Sequence, residues 1–329
     1  MDERFLFLDE PQTETLLSMV EVVRVCEAAL TEMGRKVATL SVPQAMFLEG
    51  DKTAPTLFKV KGGYMPSLDA CGFRVVGDVG VDGAAGESHF CYLLDPQTGR
   101  PRALVAHTAL HRMRTAACGM VALRALTASN TETFALIGAG KIGRHFARGF
   151  GEMFPGKRLL IASRRTETAA QLAGEATSAS ACIVATESVS AALREAQSVV
   201  ALTSSSVPLF SADEIRPGMT VIGMGEHHEL PAGLLHSADR FVVDDVGFAS
   251  VLGSLAAWIK TGQVSKDDAA KRVDAMLGSI IAGVETGRRT DSEMILCIVQ
   301  GLSIADLALS ELCRRKALGL PVSDPRRRN

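Results

Sequence analysis

Phe134-Ala-Leu-Ile137-Gly138-Ala139-Gly140-Lys141-Ile142-Gly143 is the stretch on which the fold turns. A short apolar run ends on G-x-G-x-x-G, and the residues after it, Ile142 to Met153, carry apolar side chains at helical spacing. In a strand–turn–helix, glycines at these positions suit a bound pyrophosphate. Gly138 permits the tight turn, Gly140 lets the backbone approach the phosphates, and Gly143 lets helix and strand pack closely. The helix N-terminus then offers N–H groups and a positive dipole end to the anion. Gly138, Gly140, Lys141, Ile142 and Gly143 are therefore expected to hold a dinucleotide. The plain alternative, a glycine-rich βα turn without a ligand, is weakened by what surrounds the motif.

Further apolar runs lie at Arg158–Ala162, Ala181–Ala185, Ser198–Leu202, Met219–Ile222 and Arg240–Val243, with helical patterns between several of them. Near-continuous apolar strands alternating with helices imply a parallel sheet covered on both faces. The middle of the chain, roughly 131 to 245, thus reads as a Rossmann-type doubly wound α/β region. The first 105 or so residues follow another grammar. One amphipathic helix is expected over residues 11 to 35. Gly-rich strands with turn signals at Lys61-Gly-Gly-Tyr64 and Asp95-Pro-Gln-Thr-Gly99 then suggest an antiparallel or mixed sheet. A long helix from Thr108 to Thr127 bridges the regions. Beyond residue 247 the pattern is helical, with a last helix expected over Asp291 to Ala317.

Composition narrows the classes. The 329 residues are 47% hydrophobic and 22% charged, with Lys+Arg 35 against Asp+Glu 37, so the basic excess typical of a nucleic-acid binder is missing. Seven scattered cysteines without a C-x-x-C pair suggest reduced thiols in a cytoplasm. Met1-Asp-Glu-Arg-Phe5 lacks the pattern of a signal peptide, and the longest charge-free stretch, Ala196 to Ala212, is too rich in serine to span a membrane. Neither nucleic acid nor membrane is expected as a partner, and Glu226-His-His-Glu229 lacks the spacing of a metal site.

The end of the second strand bears on which dinucleotide binds. An NAD site usually places a carboxylate there for the ribose 2′-OH. Here Ser163-Arg164-Arg165-Thr166 brings hydroxyls and two guanidiniums, which suit a 2′-phosphate. NADP(H) is favoured, with NAD(H) as the alternative.

Three stretches in sequence, Leu94-Asp-Pro-Gln-Thr-Gly-Arg-Pro101, Arg112-Met-Arg-Thr-Ala-Ala117 and the glycine loop, resemble the ornithine cyclodeaminase/mu-crystallin family. Thr203-Ser-Ser-Ser-Val-Pro208, Glu229-Leu230, Gly287-Arg288 and Gly301-Leu-Ser-Ile-Ala-Asp306 extend the likeness, which covers about residues 40 to 310. The resemblance implies a homodimer built on the N-terminal domain, and a last helix that rejoins that domain. Residues 1–118 with 300–329 would then form an α+β substrate-binding and dimerisation domain, and 119–299 the NAD(P)-binding domain. Among the family's activities are amino-acid dehydrogenases, ketimine reductases and cyclodeaminases, and it also includes a crystallin with binding roles. The reaction expected is NAD(P)H-dependent oxidoreduction at the C–N bond of a small amino or imino acid. Alternatives are a cyclodeaminase that eliminates ammonia and a non-catalytic cofactor-binding protein.

By the same resemblance Arg114 grips the substrate carboxylate and Thr115 lies against the cofactor, as do Thr203, Ser204 and Met224 after the fourth and fifth strands. Arg74 stands where the family has lysine. A guanidinium there binds a carboxylate or carbonyl but does not release a proton at neutral pH. Lys61 is then a candidate for substrate binding and for proton transfer, with an exposed strand lysine as the plain alternative and Lys59 less suited if the strand alternates. Where the family often carries aspartate this chain has Gly225, so Glu226 or His227 is the candidate for acid–base work in that loop.

Overall fold

The structure is a computed structural model and describes residues 5–49, 56–81 and 84–321. The leader reading at Met1–Arg4 and the extreme C-terminus fall outside the described residues. The chain divides into one unit of Met1–Arg114 with Leu302–Asn329 and a second of Thr115–Gly301.

In the first unit the described residues form a seven-stranded sheet. Its strands are β1 (Leu6–Leu8), β2 (Thr39–Leu40), β3 (Met46–Glu49), β4 (Thr56–Met65), β5 (Ala70–Val81), β6 (Ala84–Leu94) and β7 (Pro101–Ala106). Their order is β1-β7-β6-β5-β4-β2, with β3 also on β4; β1 runs parallel to β7 and the other pairs are antiparallel. The terminal helix Ser303–Ala317 packs on β4 and β5 and against the helix Met19–Gly34.

Three expectations are corrected here. The single helix over 11 to 35 is two, Glu10–Leu16 and Met19–Gly34. Ser18 starts the second with a capping box, its hydroxyl accepting from the N–H of Glu21 while the Glu21 carboxylate accepts from the N–H of Ser18. Lys61-Gly-Gly-Tyr64 is no turn but the interior of β4. A Cβ on Gly63 would meet Ile304 and the carbonyl of Thr39 at 2.9 Å, so close packing rather than turning demands the glycine. The last helix begins only at Ser303, because Ile295–Ile298 is a fully buried strand. Periodicity alone cannot separate a short apolar strand from a helix turn. The turn at Asp95–Gly99 is present as read, with the N–H groups of Gln97 and Thr98 donating to Asp95 and Gly99 at φ +71.

The second unit carries β8 (Thr133–Ile137), β9 (Arg158–Ala162), β10 (Cys182–Ala185), β11 (Ser198–Ala201), β12 (Thr220–Gly223), β13 (Arg240–Val243), β14 (Ala275–Met276) and β15 (Ile295–Ile298). All pair in parallel, in the order β10-β9-β8-β11-β12-β15-β13-β14. This is the Rossmann doubly wound sheet, and the apolar runs of the sequence are its strands. The direction of winding reverses between β8 and β11, the crevice where such sheets bind a dinucleotide. No helix among the described residues is long and apolar enough to cross a membrane.

Candidate functional site

At the carboxyl end of β8 two glycines of the motif, Gly138 and Gly143, have a steric reason within the protein, and Gly140 does not. Gly138 sits at φ +120, and a Cβ there would lie 2.3 Å from the carbonyl of Leu202. A Cβ on Gly143 would lie 2.1 Å from the carbonyl of Gly138, so only glycine lets the helix Lys141–Met153 approach the turn. Gly140, the N-cap of that helix, has nothing within 4 Å of its Cβ position. The protein therefore needs no glycine at 140 for its own packing, and the open space over the first helical turn suits a pyrophosphate. One strand away, Arg164 and Arg165 are exposed just past the end of β9, whose Ala162 carbonyl accepts from the N–H of Gly138.

The loops after β11 and β12 are tied together by a carboxylate that the sequence reading left without a role. Glu229 is fully buried. Its Oε2 accepts from the Thr203 N–H at 3.0 Å and the Thr203 hydroxyl at 2.8 Å. Its Oε1 accepts from the N–H groups of Met224 at 2.9 Å and Gly225 at 2.6 Å. Burial pushes its carboxyl above the usual range, opposed by these donors. Thr203 thus commits its hydroxyl donor to Glu229, while Ser204 is exposed and Met224 is buried. Glu226 and His227 lie in the same loop with exposed side chains. Their carbonyls accept from the Gly253 N–H and the Ser254 hydroxyl.

The first unit holds a cluster of a different kind. β4 and β5 place Lys61 directly opposite Arg74, and both are almost fully buried, at 4% and 3% exposure. The plain alternative of an exposed strand lysine therefore fails. Lys59 is equally buried, since residues two apart on a strand share a face, so alternation does not set it apart as expected. The helix Thr108–Leu126 adds Arg114, 2% exposed. The two arginines converge on Asp306 of the terminal helix, which has no exposed surface and whose charge also acts on Lys61. Asp306 accepts from Arg114 Nε at 2.8 Å and from Arg74 Nη1 at 3.5 Å, and lies 3.0 Å from His107 Nε2. An arginine only donates, so Nδ1 of His89 accepts from Arg74 at 3.0 Å and Nδ1 of His111 accepts from Arg114 at 3.0 Å. Among the described residues Arg74 Nε is buried without a hydrogen-bond partner.

The electrostatics follow from burial and charge count. Burial works to raise the Asp306 carboxyl, yet Arg114, Arg74 and His107 hold it well below the usual range. Burial lowers His107 to about 4, so its neutral ring donates Nε2–H to Asp306. Burial, then the repulsion of Arg114, Arg74 and Lys59, pushes Lys61 well below an ordinary lysine despite Asp306. Two permanent guanidiniums thus share one carboxylate, which leaves positive charge and an unused donor for an incoming acid. The N-terminus of the helix bearing Arg114 is not free to assist, because the Glu10 carboxylate accepts from the N–H groups of Thr108 and Ala109. Thr115, next along, is buried and belongs to the second unit.

The sequence reading found Lys61, Arg74 and Arg114 but not the carboxylate that joins the arginines. A signal for it exists: Asp306 interrupts the apolar run Ile304, Ala305, Leu307 and Ala308, and a buried charge needs partners.

Comparison with known proteins places this geometry. The profile of the ornithine cyclodeaminase/mu-crystallin family matches residues 6–320. A Delta(1)-pyrroline-2-carboxylate reductase of Bacillus cereus is 26% identical over 325 residues, covering 95% of this chain and 97% of the relative. Among solved structures, Thermococcus litoralis Delta(1)-pyrroline-2-carboxylate reductase in complex with NADH and L-proline has TM-score 0.83 at 24% identity, covering 97% of this chain and 100% of that one. An archaeal alanine dehydrogenase dimer with bound NAD has TM-score 0.86 at 23% identity, covering 96% of each. At these identities the solved structures establish the fold.

Proposed function

The chain belongs to the ornithine cyclodeaminase/mu-crystallin family, and from that premise we propose that it is an NAD(P)H-dependent oxidoreductase acting on the C–N bond of a small amino or imino acid. The observation that carries the substrate class is the pair of buried guanidiniums around one carboxylate, with Arg74 Nε unpartnered. Arg114 and Arg74 hold the substrate carboxylate. The bound nicotinamide supplies hydride to the carbon of the C=N bond. Lys61 exchanges the proton with the substrate nitrogen. A substrate carboxylate arriving beside it offsets the repulsion of the arginines and raises its affinity for that proton. Arginine at 74 keeps charge without acid–base chemistry, which supports reduction over cyclodeamination. Glu226 and His227 are the second candidates for proton transfer.

On the cofactor, Gly138, Gly140, Lys141, Ile142 and Gly143 cradle the pyrophosphate, Thr115, Ser163, Thr203, Ser204 and Met224 line the rest, and NADP(H) is preferred to NAD(H). Support for that preference comes from the exposed Arg164 and Arg165 and the absence of a carboxylate before Glu167. The protein works as a homodimer whose second copy covers the outer face of the first unit's sheet. Phe7, Phe58, Phe73 and Val75 all lie at least 40% exposed on that face, opposite the one that carries Arg74 and the terminal helix. Cysteines outside any disulfide, most of them buried, fit a reducing cytoplasm.

A steady-state screen tests the reading. Small cyclic and acyclic imino acids, and keto acids with amines, are offered with NADH and NADPH while the nicotinamide absorbance is followed. Loss of reduced coenzyme with at least one α-imino acid is expected. Substrate turnover at constant absorbance would point to the cyclodeaminase instead.

A further inference from the structure

Four neighbouring strands, β11, β12, β15 and β13, end in loops that are laced by three side chains rather than by packing alone. Glu229 joins the β11 loop to the β12 loop through the four donors of Thr203, Met224 and Gly225. Gln300, after β15, reaches back to the carbonyl of Gly225 at 3.4 Å. Asp244, after β13, accepts from the N–H groups of Gln300 at 3.0 Å and Gly301 at 2.6 Å. The series follows the order of the strands in the sheet and stops short of β8. Glu229 is its most heavily committed member. A Cβ on Gly225 would lie 2.5 Å from the carbonyl of Thr203 and 2.7 Å from the Glu229 carboxylate, so the close approach of the two loops that Glu229 joins requires the glycine.

A doubly wound dinucleotide sheet consists of two mononucleotide halves on either side of the point where strand order reverses. Here β8, β9 and β10 with the glycine loop form one half, and β11, β12 and β15 the other. The two loops that Glu229 joins, after β11 and β12, belong wholly to the second half, the one left for the nicotinamide nucleotide once the first half takes the adenosine. We propose that Glu229 is the positioning residue for the nicotinamide half of the coenzyme, acting through Thr203, Met224 and Gly225. Resting on the coenzyme reading above, this adds what fixes one end of the coenzyme independently of the other. A carboxylate suits the task, because each oxygen can accept from two donors at once. An amide at the same place offers one acceptor and turns an NH2 group toward N–H donors.

The test compares two probes on the full-length protein. NADH carries both nucleotide halves, whereas ADP-ribose carries the adenosine half and the pyrophosphate without nicotinamide. In Glu229→Gln the dissociation constant for NADH is expected to rise about tenfold and that for ADP-ribose to stay within about twofold, since bonds to a charged group contribute at that scale. Thr203→Val removes the hydroxyl bond to Glu229 and the one the hydroxyl accepts from the Ser205 N–H, leaves the other three donors on Glu229, and is expected to shift NADH in the same direction by about threefold, which keeps the test informative if the glutamine variant folds poorly. Equal weakening of NADH and ADP-ribose, or no change in either, overturns the assignment. Wild-type protein that binds neither NADH nor NADPH would overturn the coenzyme reading itself, and this inference with it.

Discussion

The candidate site of the second unit is built from backbone, and that of the first from buried side-chain charge. Around Gly138–Gly143 the structure offers open space, free turn geometry and a helix end, all specified by residues within one short stretch. Around Asp306 the first unit gathers Lys61, Arg74, His89, His107, His111 and Arg114 from separate strands and helices. The first arrangement tolerates a change of side chain wherever no Cβ interferes. The second is a charge network in which removing one member leaves others buried and unpaired, so it concentrates sensitivity in a few positions.

That contrast can be broken most severely at Arg114. Arg114→Met should reduce kcat/KM for the imino acid about a thousandfold while leaving coenzyme binding nearly unchanged, because the losses, the charged grip on the substrate carboxylate and the bonds to Asp306 and His111, all fall within the first unit's cluster. Comparable damage to coenzyme affinity would show that the two sites are not separable in this way. Asp306→Asn should come next, with kcat/KM down about a hundredfold and stability lowered by about 3 kcal/mol, since two guanidiniums then lose their buried counter-charge. Denaturant unfolding and steady-state kinetics on one preparation check both values.

The remaining predictions are smaller. Phe73→Glu on the outer sheet face should raise the dimer dissociation constant at least tenfold in sedimentation, as a charge enters an apolar contact. Arg164→Ala with Arg165→Ala should weaken NADPH about tenfold and leave NADH within about twofold; equal losses would remove the 2′-phosphate assignment. For pH, the sign follows from His107, whose folded value of about 4 lies below the ordinary 6.5. The unfolded chain binds the extra proton between those values, so stability is full above about pH 6.5 and is lost as pH falls toward 4. His107→Gln should flatten that part of the melting-temperature curve, and an unchanged slope would assign it elsewhere.

The difference between the units also explains what could be read from the sequence. The glycine loop and the strands Arg158–Ala162 and Arg240–Val243 were legible because local spacing encodes them. Arg114 and Arg74 are reached through resemblance, while Asp306 and Glu229 enter only as part of that likeness, without a role. Their partners lie far away in sequence or on the backbone, and no spacing rule points to them. Ile295–Ile298 reads as helix in the sequence because four apolar residues fit either period, and only its place between β12 and β13 decides the matter. Lys61-Gly-Gly-Tyr64 reads as a turn because Gly-Gly usually marks one, whereas here the terminal helix crosses the strand at Gly63 too closely for a side chain.

The most direct measurement follows a label. With reduced coenzyme carrying deuterium at the transferable position and a small cyclic imino acid such as pyrroline-2-carboxylate, the account predicts amino-acid product with one deuterium on the carbon that bears both nitrogen and carboxylate, and one coenzyme oxidised per product. Product free of deuterium, formed without net coenzyme oxidation, would contradict it.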